Sequence, residues 1–162
     1  QDVSFEEVKD KFEEIYQGTP EKPGLRATEK LLTPRSWLDA LKAKMPLAIV
    51  TGRPRSDALC FLEEKDILSC FDVLVCMEDA ELKPDPAPVN LALEKLGKQY
   101  AWMIGDTPDD IHASRGARVV PLGVLAPGDG DAAKQTLMDA GASLVLDKTI
   151  ALEGLLNGKS ES

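Results

Sequence analysis

The sequence predicts an α/β fold, a parallel sheet covered by helices on both faces. Three observations carry this. Short continuous apolar runs, LAIV at 47–50, DVLVC at 72–76 and YAWMI at 100–104, have the character of strands buried on both sides. Stretches of helical periodicity alternate with them. Glycine and proline mark the joints.

Taken in order, Ser4-Phe5-Glu6-Glu7 has the form of a capping box, and Val8, Phe12, Ile15 and Tyr16 follow at helical spacing until Gly18. GTPEKPG at 18–24 reads as a loop, a candidate linker or hinge. Thr33 caps a second helix with Pro34 in its first turn and Trp37, Leu38 and Leu41 on its apolar face. A strand is expected over 46–51, a helix over 55–65 through Leu59 and Leu62, a strand over 71–77 and a helix over 86–96 closed by Gly97. The strand at 100–105 leads into a helix at 108–116. The strand at 119–125 contains Pro121, which either weakens the strand assignment or points to a place near an edge. A helix at 130–140, a strand at 144–147 and a helix at 149–157 complete the series, and the tail GKSES reads as frayed. Trp37 and Trp102 read as core aromatics.

Composition narrows the chemistry. The 162 residues suit one domain and are too few for two of ordinary size. Net charge is −9 with no Lys/Arg cluster, which argues against nucleic acid or an anionic membrane as the main partner. No apolar run approaches the ~18 residues of a membrane span. The acidic, amphipathic N-terminus resembles neither a signal nor a transit peptide. Cys60, Cys70 and Cys76 lack C-x-x-C spacing and read as reduced, largely buried thiols, which suits the cytoplasm or another reducing compartment. One histidine, His112, rules out a His-rich metal centre and reads as a surface residue. Carboxylates are abundant, which points to carboxylate and metal chemistry.

Three segments lie at predicted strand ends, where chemistry gathers in parallel sheets. Thr51-Gly52-Arg53-Pro54 offers a hydroxyl and exposed N–H groups that can hold a phosphate oxygen; taken alone, the segment suits a plain strand-to-helix turn better. In Glu81-Leu82-Lys83-Pro84-Asp85-Pro86 a lysine is held between backbone-restricting residues, either as a placed cation or as a solvated loop residue. In Gly105-Asp106-Thr107-Pro108-Asp109-Asp110, Asp106 and Asp110 can turn toward one point and offer Mg²⁺ oxygen ligands; the alternative is a helix start with acids at the positive end of the dipole, Asp109 acting as its cap. Arg53 and Arg55 could touch a substrate but suit a solvated surface better.

In order and spacing the three segments together resemble the haloacid dehalogenase-like (HAD) hydrolase superfamily, closest to its phosphoglycolate-phosphatase-like branch. The resemblance runs from about Thr33 to the last strand. It implies a Rossmann-like core over 33–162, with 1–32 as the C-terminal remnant of a helical cap and its hinge. It also implies a Mg²⁺-dependent phosphatase acting on a small phosphorylated metabolite through an aspartyl-phosphate. Thr51, Gly52 and Lys83 would bind phosphate, with Thr51 and Lys83 serving catalysis. Asp106 would bind the metal, Asp110 would be a direct or supporting ligand, and Thr107 could orient the ligands.

The departure lies in the family's first motif, DxDGT, which supplies the nucleophile and the central strand. None of Asp2, Asp10 and Asp39 follows an apolar strand or has a partner two residues on. The expectation is an N-terminally incomplete form with little or no turnover alone. The alternative is a noncatalytic phosphate- and metal-binding or regulatory relative. A receiver-like or nucleotide-binding fold is a third reading, opposed by the absence of G-x-G-x-x-G and G-x-x-x-x-G-K-[ST] and by the late position of the acids. With strands 46–51 and 100–105 flanking an absent strand, the sheet should be open. It would be filled by a separate segment, closed by a shifted order, or paired in a homodimer.

Overall fold

The computed structural model describes residues 4–158. The side chains of Val8 and Phe12, expected on the first helix's apolar stripe, and the tail from Lys159 onward lie outside the described residues. The chain forms two compact units, Gln1–Leu32 and Thr33–Ser162.

In the first unit, α1 (Phe5–Gln17) starts with the capping box: Ser4 Oγ accepts from Glu7 N, and Glu7 Oε2 accepts from Ser4 N at 2.9 Å. The segment at 18–24 is not a plain loop. Gly18–Thr19 (β1) and Lys22–Pro23 (β2) pair antiparallel around a tight turn. Gly18 has φ 82°, and a Cβ there would lie 2.2 Å from Gly24 N, so only glycine allows this closure. A 3₁₀ turn at Leu25–Thr28 follows, and Tyr16 Oη donates to Glu29 Oε1 at 3.1 Å.

The second unit alternates helix and strand. Its elements are α2 (Arg35–Lys42), β3 (Ala48–Val50), α3 (Arg55–Glu64), β4 (Val73–Val75), α4 (Ala87–Leu96), β5 (Trp102–Gly105), α5 (Pro108–Gly116), β6 (Val120–Val124), α6 (Asp131–Asp139), β7 (Leu144–Leu146) and α7 (Leu152–Leu156). α2 begins one residue later than expected. Pro34, not Thr33, is its cap residue, and no side chain caps it.

Period-two alternation along the strands sorts the core into two faces. On one face Met103 and Val50 pack with Val89 and Leu93 of α4 and Ala113 of α5, and Val145 packs with Ile111 of α5 and Leu137 of α6. On the other, Ile104, Leu122, Val124 and Leu146 pack with Leu41 of α2 and Leu152 of α7. Each fully buried aliphatic side chain contributes about 1.5–3 kcal/mol. The α/β fold with helices on both faces is therefore present.

The sheet, however, is in two parallel pieces: β3 with β4, and β5-β6-β7. Among the described residues no ladder joins β3 to β5. All of β3 and Met103–Gly105 of β5 are only half-buried, whereas Leu122, Gly123, Val145 and Leu146 are buried. The second edges of β3 and β5 thus stand open, as expected, and no shifted strand order closes the sheet.

Two expectations are corrected. Pro121 lies in the middle strand of its sheet, not near an edge: its carbonyl accepts from Ser143 N at 2.8 Å, and the N–H it lacks falls at a level where β7 has not yet begun. Trp102 is 47 % exposed rather than a core aromatic, because α2 and α7 cover only the C-terminal part of its face.

Candidate functional site

Thr51 ends β3 by continuing its ladder one step, its N–H donating to Val75 O at 2.9 Å. Its hydroxyl accepts from Arg53 N at 3.2 Å, which turns the chain toward α3. Gly52 is exposed, and its N–H has no partner among the described residues. Thr51 and Gly52 line one small cleft with Val50, Cys76, Leu82 and Lys83. The structure thus brings Thr51, Gly52 and Lys83 together around one cleft.

Lys83 is mostly buried. Its Nζ lies 2.5 Å from Asp110 Oδ1 and 3.4 Å from Val50 O. Asp110 is 5 % exposed, and its other oxygen accepts from Thr107 N at 3.1 Å and Thr107 Oγ1 at 2.8 Å. Thr107 Oγ1 in turn accepts from Asp110 N, so the pair is a capping box at the start of α5, where the helix dipole favours a carboxylate. Asp109, expected as the cap, is exposed and takes no part in it. Gly105 makes room for this arrangement, since a Cβ on it would lie 2.2 Å from Asp110 Cβ.

Asp106 is exposed at the end of β5, between Gly105 and Thr107, both of which abut the Asp110 carboxylate. Asp110 has both oxygens engaged, so of the two expected metal ligands only Asp106 presents an open carboxylate. Among the described residues no group of three or more His, Cys, Asp and Glu side chains could hold a metal ion. Mg²⁺ commonly takes one or two carboxylates and fills its remaining positions with water and substrate phosphate. The donor set here fits an ion held in that way through Asp106.

Sequence reasoning missed one group beside the site. Arg55 is not a solvated arginine: its guanidinium pairs with Asp79, and its backbone N–H donates to both Glu78 oxygens at 2.9 and 3.1 Å. Asp79 also accepts from Cys76 N at 2.7 Å. That bond, with the Arg55 charge, holds its carboxyl below the usual range. Two acids directly after a strand were the available signal. Burial raises the Cys76 thiol, and burial with the neighbouring Asp39 carboxylate raises Cys70, which makes both unreactive. All three cysteines are free, with Cys60 half-buried. Arg53 lies over the Phe61 ring at 5.8 Å, and His112 is exposed. No helix of the described residues is long and apolar enough to cross a membrane.

The chain is similar to several known proteins. A family model described as haloacid dehalogenase-like hydrolase matches residues 3–124. Over 128 residues the chain is 44 % identical to an imidazoleglycerol-phosphate dehydratase of Phytophthora nicotianae, a match covering 76 % of this chain and 28 % of that protein. It is 35 % identical over 91 residues to the phosphoglycolate phosphatase of Escherichia coli, covering 54 % of this chain and 36 % of that protein. The crystal structure of a HAD family hydrolase from Deinococcus radiodurans, with bound phosphate and sodium, matches with a TM-score of 0.68 at 25 % identity, covering 77 % of this chain and 58 % of that one. The chain therefore spans about a third of the two curated relatives, and it belongs to the haloacid dehalogenase-like hydrolase family.

Proposed function

We propose that this chain carries the phosphate-holding and metal-holding part of a phosphatase acting on a small phosphorylated molecule. The observation that carries the reading is the single cleft shared by Thr51, Gly52 and Lys83 at the end of a parallel strand. Both curated relatives carry a small phosphorylated compound in their names.

The Thr51 hydroxyl and the Gly52 N–H would hold one phosphoryl oxygen. The Lys83 ammonium has three donors, of which Asp110 and Val50 O take two, so the third is available to a second oxygen. Asp110 keeps that ammonium at the cleft instead of in solvent. Mg²⁺, when bound at Asp106, would offset charge on the transferring group. Asp10 lies within α1 and Asp39 within α2, away from any strand end, so neither is assigned as nucleophile. The half-exposed edges of β3 and β5 support a strand from a further polypeptide segment seated between them, bringing the attacking carboxylate. The first unit would then be part of a cap.

A second reading is a noncatalytic phosphate-binding or regulatory domain, favoured by the engagement of both Asp110 oxygens, which leaves Asp106 as the one open carboxylate of the two expected metal ligands. Inorganic phosphate titrated into the chain with and without Mg²⁺ tests both. Binding should be strengthened by Mg²⁺, lose that dependence in Asp106→Asn, and be lost in Lys83→Ala. Hydrolysis of p-nitrophenyl phosphate by a form of the chain supplied with a DxDGT-type segment supports the phosphatase reading, and phosphate binding without hydrolysis by that same form supports the second. An absence of phosphate binding sinks both.

A further inference from the structure

The N-terminus of α3 has no cap of its own. Pro54 precedes it, offers no side-chain oxygen, and leaves Arg55 N as the first free donor of the helix. That donor is satisfied from 23 residues away, by both carboxylate oxygens of Glu78. The same stretch fastens the preceding loop at two further points. Met77 N donates to Arg53 O at 3.2 Å, and the Arg55 guanidinium reaches Asp79, which turns back to accept from Cys76 N. The segment thus held, Thr51–Arg53, carries the hydroxyl and the backbone donor of the cleft. The segment that holds it continues through Glu81 and Leu82 to Lys83, the third member.

We propose that Glu78 is a positioning residue. By capping α3 from the neighbouring loop it fixes the spacing between the Thr51–Gly52 donors and Lys83, and so the affinity of the cleft for a phosphoryl group. Glu78 touches no substrate itself. Asp79 and Arg55 complete the clamp from the other side. The inference rests on the reading of Thr51, Gly52 and Lys83 as the phosphate donors.

The test is calorimetric titration of inorganic phosphate into the full chain, with thermal unfolding measured on the same samples. Glu78→Ala should weaken phosphate binding by roughly ten- to a hundredfold, the scale of a displaced binding group. Glu78→Gln keeps an acceptor oxygen for Arg55 N and should restore binding to within about threefold of the unchanged protein, since only the charge contribution to the cap is lost. In a Thr51→Val background, Glu78→Ala should weaken binding by less than it does alone, because one of the two donors it positions is gone. A purely structural role would lower the unfolding temperature yet leave the affinity of the folded protein unchanged, and a weakening that added in full to that of Thr51→Val would mean that Glu78 acts independently of these donors; either result overturns the proposal. If Glu78→Ala does not fold, the Gln variant decides: weakening as large as that of Thr51→Val would refute acceptor-based positioning. If the unchanged chain binds no phosphate, the underlying reading fails and this inference with it. If it binds and Glu78→Ala binds equally, this inference alone fails.

Discussion

Lys83 Nζ and Asp110 Oδ1 meet at 2.5 Å across 27 residues, between strand ends that share no backbone ladder. The carboxylate is buried and the ammonium mostly so, which makes each the other's main compensation for lost water. Replacing Lys83 by Met leaves Asp110 with only its Thr107 bonds. The loss should be about 2–4 kcal/mol, below the upper range for a broken buried pair because Lys83 keeps some exposure. Urea unfolding measures this, and a change within about 0.5 kcal/mol, as at an ordinary surface site, would contradict it.

Gly105 stands where the Asp110 side chain crosses the end of β5. In Gly105→Ala the new methyl cannot coexist with Asp110 as placed, and the obstructing atoms include the inflexible Cβ. The expected cost is about 1–3 kcal/mol of overpacking, together with disturbance of the Lys83 contact. Thermal unfolding should show the first effect. Phosphate titration should show the second as weakened binding, and unaltered affinity would mean that Asp110 can shift without moving Lys83.

Asp79 gives a pH signature. Its folded carboxyl is held below the ordinary aspartate value of about 3.9, first by the Cys76 N–H and then by Arg55. A depressed folded value means that its stabilisation is complete above the unfolded value and is lost as the pH falls through the folded one. The stability gap between the unchanged chain and Asp79→Asn should therefore be full at pH 6–7 and narrow below about pH 4. Urea midpoints at several pH values would show it, and a gap constant down to pH 3 would disprove the assignment.

The strands and helices of the second unit were legible because LAIV, VLV and WMI are contiguous apolar runs, and because Gly97 and Gly141 close helices where periodicity stops. What stayed hidden depends on partners distant in sequence. The residues of 18–24 suit a loop and a tight hairpin alike, and only pairing of Gly18 with Pro23 distinguishes them. Trp102 has the alternation of a core residue, but no sequence pattern tells which end of a strand its covering helices reach. The Arg55–Glu78 bond follows from the parallel register that sets Val50 beside Val75. Thr51, Lys83 and Asp110 were recognisable as a set. That Asp110 spends its oxygens on Lys83 and Thr107, leaving Asp106 open, required coordinates.

The break between β3 and β5 has a consequence for how the molecule opens. Among the described residues, side-chain contacts and the Lys83–Asp110 ion pair cross it, whereas within each half continuous amide ladders hold the strands. Opening along that seam sacrifices no strand-to-strand amide bond, so the two halves can unfasten as separate cooperative blocks before either melts. The seam runs beside the cleft lined by Thr51, Gly52 and Lys83, and whatever fills it would bind the blocks into one rigid body and tighten the cleft in the same act.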